Sequence, residues 1–157
     1  MSPKRKHLKR LERLSPAIRA PVYFVTICTF KRKRFLANAE TSREILHSLE
    51  KISGQFGWLV GRFVIMPDHI HFFCAPHSEN TSLSDFVGAF KSYSTLRLWD
   101  LGIAGKVWQR EFFDHLLRSD ESYGEKWEYV RCNPVRQGLC KNPEQWPYQG
   151  EVSVLKV

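Results

Sequence analysis

Two histidines stand one residue apart in "FVIMPDHIHFF", Phe63 to Phe73, among large apolar side chains. On a β-strand successive side chains alternate faces, so His69 and His71 point the same way, ~6.6 Å apart along the axis, with Ile70 on the opposite face. Two imidazoles at that separation can lean towards one divalent cation. A pair of partly exposed histidines on a sheet face would explain the spacing as well. The flanking Val64, Ile65, Met66, Phe72 and Phe73 argue for burial instead, and buried ring nitrogens need partners that a metal supplies. Cys74 has the opposite parity and no CxxC pair exists, so a closed structural zinc does not fit. An open site with room for a substrate oxygen does.

A second constellation lies in "EYVRCNPV", where Tyr129 and Asn133 are four residues apart. On a helix that spacing puts them on one face, ~6 Å apart along the axis. Taken alone, a helical tyrosine reads as core and an asparagine beside proline as a turn residue. Taken with the histidines, Tyr129 reads as a phenol nucleophile and Asn133 as a carbonyl oxygen for the metal. Tyr93 reads as core, and Tyr123 lies far around the helix from Tyr129. His115 reads as structural, His47 and His77 as surface residues. Asp68 has the wrong parity for the histidine face and suits the turn after Pro67.

These residues need a scaffold. "PVYFVTICTF" (21–30) is rich in β-branched and aromatic residues and predicts a strand, followed by the cationic turn "KRKRF". Ile45, Leu49 and Ile52 mark a helix over 40–53. "GWLVGRFVIMP" and "HIHFFCAP" predict two further strands joined at Pro67-Asp68. Thr81 or Ser82 can cap a helix carrying Leu83, Phe86, Val87 and Phe90. A fourth strand is expected at 112–117, then a helix capped by Ser119 that stops at Asn133 because Pro134 cannot continue it. The tail is expected to cross the body through Trp146 and Tyr148. The order β-α-β-β-α-β-α predicts an α+β fold, a ferredoxin-like (RRM-like) four-stranded antiparallel sheet with helices on one face.

Composition sets the partner. The 157 residues carry 24 Lys and Arg against 16 acids, a net charge of +8. Lys4, Arg5, Lys6, Lys9, Arg10, Arg13 and Arg19, then Lys31, Arg32, Lys33 and Arg34, fall before residue 35 with only Glu12 opposing them. A polyanion is the natural partner. No apolar stretch reaches the ~18 residues of a membrane span, and the N-terminus lacks a secretory signal. The four scattered cysteines read as reduced thiols, which suits a cytoplasmic protein. The expected organisation is a basic arm over 1–20, one domain over 21–150 and a tail over 151–157.

"MPDHIHFF", followed by "VWQREFFDHLLRSDESYGEKWEYVRCNPVRQGL", resembles the REP-associated tyrosine transposases, single-tyrosine members of the HUH (His, hydrophobic, His) class. The likeness runs from about Tyr23 to Tyr148, and its specific part is the late W-x-x-x-F-F-D-H-x-x-R and E-Y-x-x-x-N-P-V-x-x-G-L runs. It implies His69 and His71 as metal ligands, Tyr129 as the catalytic tyrosine and Asn133 as third ligand, where the insertion-sequence branch has Gln. It also implies a ferredoxin-like fold, a bacterial setting at the nucleoid, a short DNA hairpin of the REP type as substrate, and a monomer rather than a helix-swapped dimer.

The expected chemistry is nicking and rejoining of single-stranded DNA through a 5′-phosphotyrosine on Tyr129. A mixed nitrogen and oxygen shell with open positions suits Mg2+ or Mn2+. Lys4, Arg5, Lys6, Arg10 and Lys31 to Arg34 would contact phosphates, and Trp99, Trp108 and Phe112 are candidates for base stacking. Two rivals make different predictions. A non-catalytic ferredoxin-like nucleic-acid-binding module forms no adduct, and a metal-dependent phosphoesterase using water survives Tyr129→Phe.

Overall fold

The structure, a computed structural model, describes residues 21–77, 79–118 and 121–156. The basic arm, with Lys4, Arg5, Lys6 and Arg10, lies outside the described residues, as does Ser119. The elements are β1 (Tyr23–Cys28), α1 (Ala39–Phe56), β2 (Trp58–Met66), β3 (His69–Pro76), α2 (Leu83–Asp100), β4 (Phe113–Leu116), α3 (Tyr123–Arg131), α4 (Asn133–Arg136) and β5 (Gln149–Glu151). The antiparallel sheet runs β4-β1-β3-β2-β5, which makes the histidine strand the central one.

Side-chain alternation divides the molecule into two cores. Tyr23, Val25, Ile27, Ile65, Ile70 and Phe72 face one way and meet Ile45, Leu49 and Ile52 of α1 and Phe86 and Phe90 of α2. Each fully buried side chain of this size contributes ~1.5–3 kcal/mol. Asn38 starts α1 by accepting a hydrogen bond from the Thr41 amide (2.9 Å), and Ser82 starts α2 in the same way through Asp85 (3.1 Å). Gly57 ends α1 at φ 76°, where a Cβ would sit 2.5 Å from the Asn80 backbone.

Among the described residues the expected four strands become five, and the helices do not share one face. Val64, Met66 and Phe73 point to the second face and pack on Tyr123, Trp127 and Val130 of α3. The spacing of that trio, i, i+4 and i+7, is one helix stripe, and it leaves Tyr129 off the docked side. Trp146 is buried in the same cluster and donates its indole N–H to the Ile65 carbonyl (3.0 Å). The Ile65 amide in turn donates to Tyr148 (2.8 Å), and β5 continues this pairing along β2.

Two local boundaries also differ from expectation. The cap of α3 is Ser122, which accepts from the Glu125 amide (3.2 Å), while Glu121 accepts from the Arg118 amide (2.7 Å) in the preceding turn. Pro134 does not follow the last helix but opens the short α4, because a proline in a first turn has no intrahelical N–H to lose.

The docking of α3 depends on one glycine. Tyr123 accepts a hydrogen bond from the Arg62 amide (2.9 Å), and a Cβ on Gly61 would lie 2.5 Å from that hydroxyl and 2.7 Å from Leu155. Gly61→Ala is therefore expected to lower stability by about 1–3 kcal/mol, read as an earlier urea midpoint at unchanged slope. An unchanged midpoint would mean that α3 can lift without loss.

Candidate active site

The register of β1 on β3 sets Thr26 opposite His71 and Cys28 opposite His69. Both imidazoles emerge on the α3 face with ring centroids 4.6 Å apart and planes at 73°. His69 is held by Asp68, whose carboxylate lies 2.7 Å from Nδ1. A carboxylate only accepts, so Nδ1 of His69 carries the proton and Nε2 keeps its lone pair. His71 Nδ1 lies 2.8 Å from the Thr26 hydroxyl, which can accept from it and fix the same tautomer, and Phe24 stacks on the ring at 5.1 Å.

Both Nε2 atoms then face Asn133. Its amide nitrogen lies 3.4 Å from His69 Nε2 and 3.2 Å from His71 Nε2. A half-turn of the amide about its last bond puts an oxygen of nearly the same shape in that position. Two imidazole lone pairs and one amide oxygen converging on a point suit a divalent cation, with Asp68 and Thr26 orienting the rings from behind. Among the described residues no three of His, Cys, Asp and Glu form a group that could hold a metal ion, and the side chain that faces both Nε2 atoms is the Asn133 amide.

Electrostatics keep the imidazoles neutral. Burial pushes the His71 pKa down to about 3, aided by the neighbouring charges of His69, Arg136, Arg32 and Lys126. Burial also lowers that of His69, against the opposing pull of Asp68. For Asp68 burial acts upwards, but the hydrogen bonds from Arg32 and His69 prevail and hold its carboxyl below the ordinary value.

The sign of the pH dependence follows from these shifts. Below about pH 6.5 the unfolded chain takes up a proton on His71 that the folded chain refuses. Stability without metal therefore falls with pH by up to ~1.4 kcal/mol per unit below 6.5, less whatever water at the pocket mouth screens. Urea unfolding in EDTA at pH 7 and 5 reads this, and a loss that persists in full in His71→Asn would assign it elsewhere.

Tyr129 is 63% exposed and opens, with Phe24, His71, Lys126, Asn133, Arg136 and Gln137, onto a pocket of about 350 Å³. The Arg136 guanidinium lies 4.0 Å from the centre of the Tyr129 ring and donates to the Tyr129 carbonyl (2.8 Å), which fixes the phenol over the pocket. The pocket thus unites His71, Tyr129 and Asn133 with two cations that sequence reading did not single out, Lys126 and Arg136.

The basic turn is anchored behind the same site. Phe30–Arg32 forms a 3-10 turn in which Lys31 and Arg32 have φ of 56° and 53°. Left-handed residues with side chains cost roughly 1–2 kcal/mol each, so something must hold them. Thr29 does: its buried hydroxyl reaches the carbonyls of Lys33 (2.7 Å) and Asp68 (3.1 Å). The turn delivers Arg32 to the second Asp68 oxygen (3.0 Å), and Lys31, Arg32, Lys33 and Arg34 are all exposed.

Several expectations change. Asp68 belongs to the site: it sits in the turn, where strand parity no longer applies, and reaches back to His69. Trp108 and Phe112 are core residues at 6% and 7% exposure, so neither can stack on a base, whereas Trp99 is half-exposed. Cys74 is buried on the opposite face, His115 pairs with Glu121 at the surface (3.0 Å), and Tyr93 packs partly buried against the first core.

Comparison with known proteins bears on the family and the fold. A REP-associated tyrosine transposase of Escherichia coli K12 is 22% identical over 132 residues, 83% of this chain and 76% of that one. The solved structure of a REP-associated tyrosine transposase bound to a REP hairpin superposes with a TM-score of 0.73 at 21% identity, covering 95% of this chain and 82% of its own. A crystal structure from Deinococcus radiodurans aligns at a TM-score of 0.56 and 18% identity, over 75% of this chain and 94% of its own. Residues 20–130 match the model of the family described as "Transposase IS200 like", and the chain belongs to that family.

Proposed function

We propose that this protein nicks and rejoins single-stranded DNA beside a hairpin, with Tyr129 as nucleophile and a divalent cation, Mg2+ or Mn2+, held by His69 Nε2, His71 Nε2 and the Asn133 amide oxygen. The observation that carries this reading is the convergence of Asn133 and two neutral imidazoles within 3.4 Å in the region that the exposed Tyr129 overlooks. Transposases of this family generally use a divalent metal. A cation bound there would offset the negative charge of the scissile phosphate that repels a nucleophile.

The chain's own residues do the rest. The Tyr129 oxygen attacks phosphorus and loses its proton, the bond from phosphorus to the 3′ oxygen breaks, and that oxygen leaves as a 3′-OH. The 5′ phosphate stays on Tyr129 as a diester, so a second 3′-OH can reverse the step with no external energy source. Arg136 holds the phenol, and with Lys126 it adds positive charge where the phosphate must lie. Lys31 to Arg34, and Lys4, Arg5, Lys6 and Arg10 of the arm, contact the remaining phosphates. The net charge of +8 suits a nucleic-acid partner, and no helix among the described residues is long and apolar enough to cross a membrane.

A hairpin oligonucleotide with single-stranded flanks, incubated with Mn2+ and run on a denaturing gel, tests the proposal. A 3′-labelled strand should appear as a protein adduct and a 5′-labelled strand as a shortened free fragment, both lost with EDTA. Label attached from the 5′ side, or cleavage with no adduct, would refute it.

A further inference from the structure

A second surface feature lies away from the pocket, on the C-terminal half of α2. Leu96 and Trp99, one helical turn apart, are 57% and 49% exposed, while Leu98 between them is fully buried in the core. They line a groove of about 540 Å³ whose other wall is the segment 106–110, a volume within the ~300–1,000 Å³ of small-ligand sites. Trp99 is not a loose side chain. Its indole N–H donates to the Gly105 carbonyl (2.8 Å), which holds the ring in place at the groove.

The polar lining has one sign. Among the described residues the groove is bordered by Lys91, Lys106 and Arg110 and by no carboxylate. Lys91 is engaged by the carbonyls of Gln109, Arg110 and Glu111, which fixes its charge at the floor. Lys106 lies 5.4 Å from the centre of the Phe30 ring, and Lys31 lies 5.4 Å from the same ring. The strip is stitched together by the Phe30 amide donating to Val107 (2.8 Å) and the bridge from Thr29 to Trp108. Positive charge therefore runs from the groove past Lys106 and Lys31 to Arg32, which pairs with Asp68 beside His69.

We propose that this groove binds an unpaired nucleotide of the DNA flank, its base stacked on Trp99 and its phosphates on Lys106 and Arg110. The inference rests on the single-stranded DNA reading above and adds a subsite to it. A fixed, half-exposed indole edged by cations is what sequence-tolerant binding of a single strand requires. A second copy of this chain, the other apolar occupant to consider, carries a net charge of +8 and would be repelled from a cationic groove.

Affinity is measured in EDTA, by fluorescence anisotropy, for a blunt hairpin and for the same hairpin with its single-stranded flank, using wild type, Trp99→Ala and Trp99→Phe. Trp99→Ala should weaken the flanked hairpin roughly 5- to 150-fold, the range for one stacked base, while the blunt hairpin binds both proteins alike. Trp99→Phe should restore most of the flank preference. Photocrosslinking with 5-iodouracil stepped along the flank should yield one position joined to Trp99. Equal losses on both hairpins, or no crosslink at Trp99, would overturn the subsite. Sedimentation showing a dimer that Trp99→Ala dissociates would assign the groove to self-association instead. A Trp99 crosslink in a wild-type protein that forms no adduct would keep the subsite and remove the catalytic reading.

Discussion

Tyr129→Phe is expected to abolish the covalent protein–DNA adduct while the folded protein and its DNA binding persist. The substitution removes one oxygen and little else. Tyr129 lies off the face by which α3 docks and is 63% exposed, so no core contact is lost. Arg136 stacks on a ring that phenylalanine also provides, and its hydrogen bond goes to the residue-129 backbone carbonyl. A change in stability beyond about 0.5 kcal/mol is therefore not expected. Catalysis should fall by more than about 10⁴-fold, to background, because in the proposed mechanism the missing atom is the one that bonds to phosphorus. Cleavage that continues in the variant with no adduct would make water the nucleophile, the phosphoesterase alternative. Adduct formation that survives would mean another side chain attacks, and none of Tyr23, Tyr93, Tyr123 and Tyr148 is as exposed.

Much of the site was legible in the sequence because period-two alternation is a strong constraint. It put His69 and His71 on one face and Cys74 on the other, as found. The same rule misled one residue earlier: Asp68 lies in the turn, where the pleat has ended, and its carboxylate swings to His69 Nδ1. Thr26 and Phe24 could not be read at all, since only the register of β1 on β3 brings them to His71. Asn133 lines one pocket with Tyr129, as a shared helix face predicts, although α3 ends at Arg131 and a new helix begins at Asn133. The fifth strand, "QGE", has no β-branched residue and exists because the edge of β2 offers it hydrogen bonds. Trp108 and Phe112 show the limit of residue type as evidence: an aromatic side chain is equally good as core or as platform, and only packing separates the two uses.

His71→Ala should remove metal binding and catalysis together, with the larger effect on the first. Its Nε2 is one of two imidazole donors facing Asn133, and the ring is the one in contact with both Thr26 and Phe24. Losing a proposed direct ligand should exceed the roughly 10–100-fold drop in metal affinity that follows loss of a residue behind a ligand. Asp68→Asn supplies that smaller case, because an amide oxygen can still accept from His69 Nδ1 but without the charge. Titration of Mn2+ by calorimetry in the absence of DNA separates the two, and adduct formation against Mn2+ concentration should follow the same order. Excess Mn2+ should rescue Asp68→Asn and not His71→Ala, since a weakened site can be filled and an incomplete one cannot hold the phosphate in line. The pH series gives an independent check on the same ring. With His71 gone, the acid destabilisation that begins near pH 6.5 should shrink to what His69 alone contributes. Unchanged Mn2+ affinity in His71→Ala would place the ion elsewhere and leave the two histidines as packing.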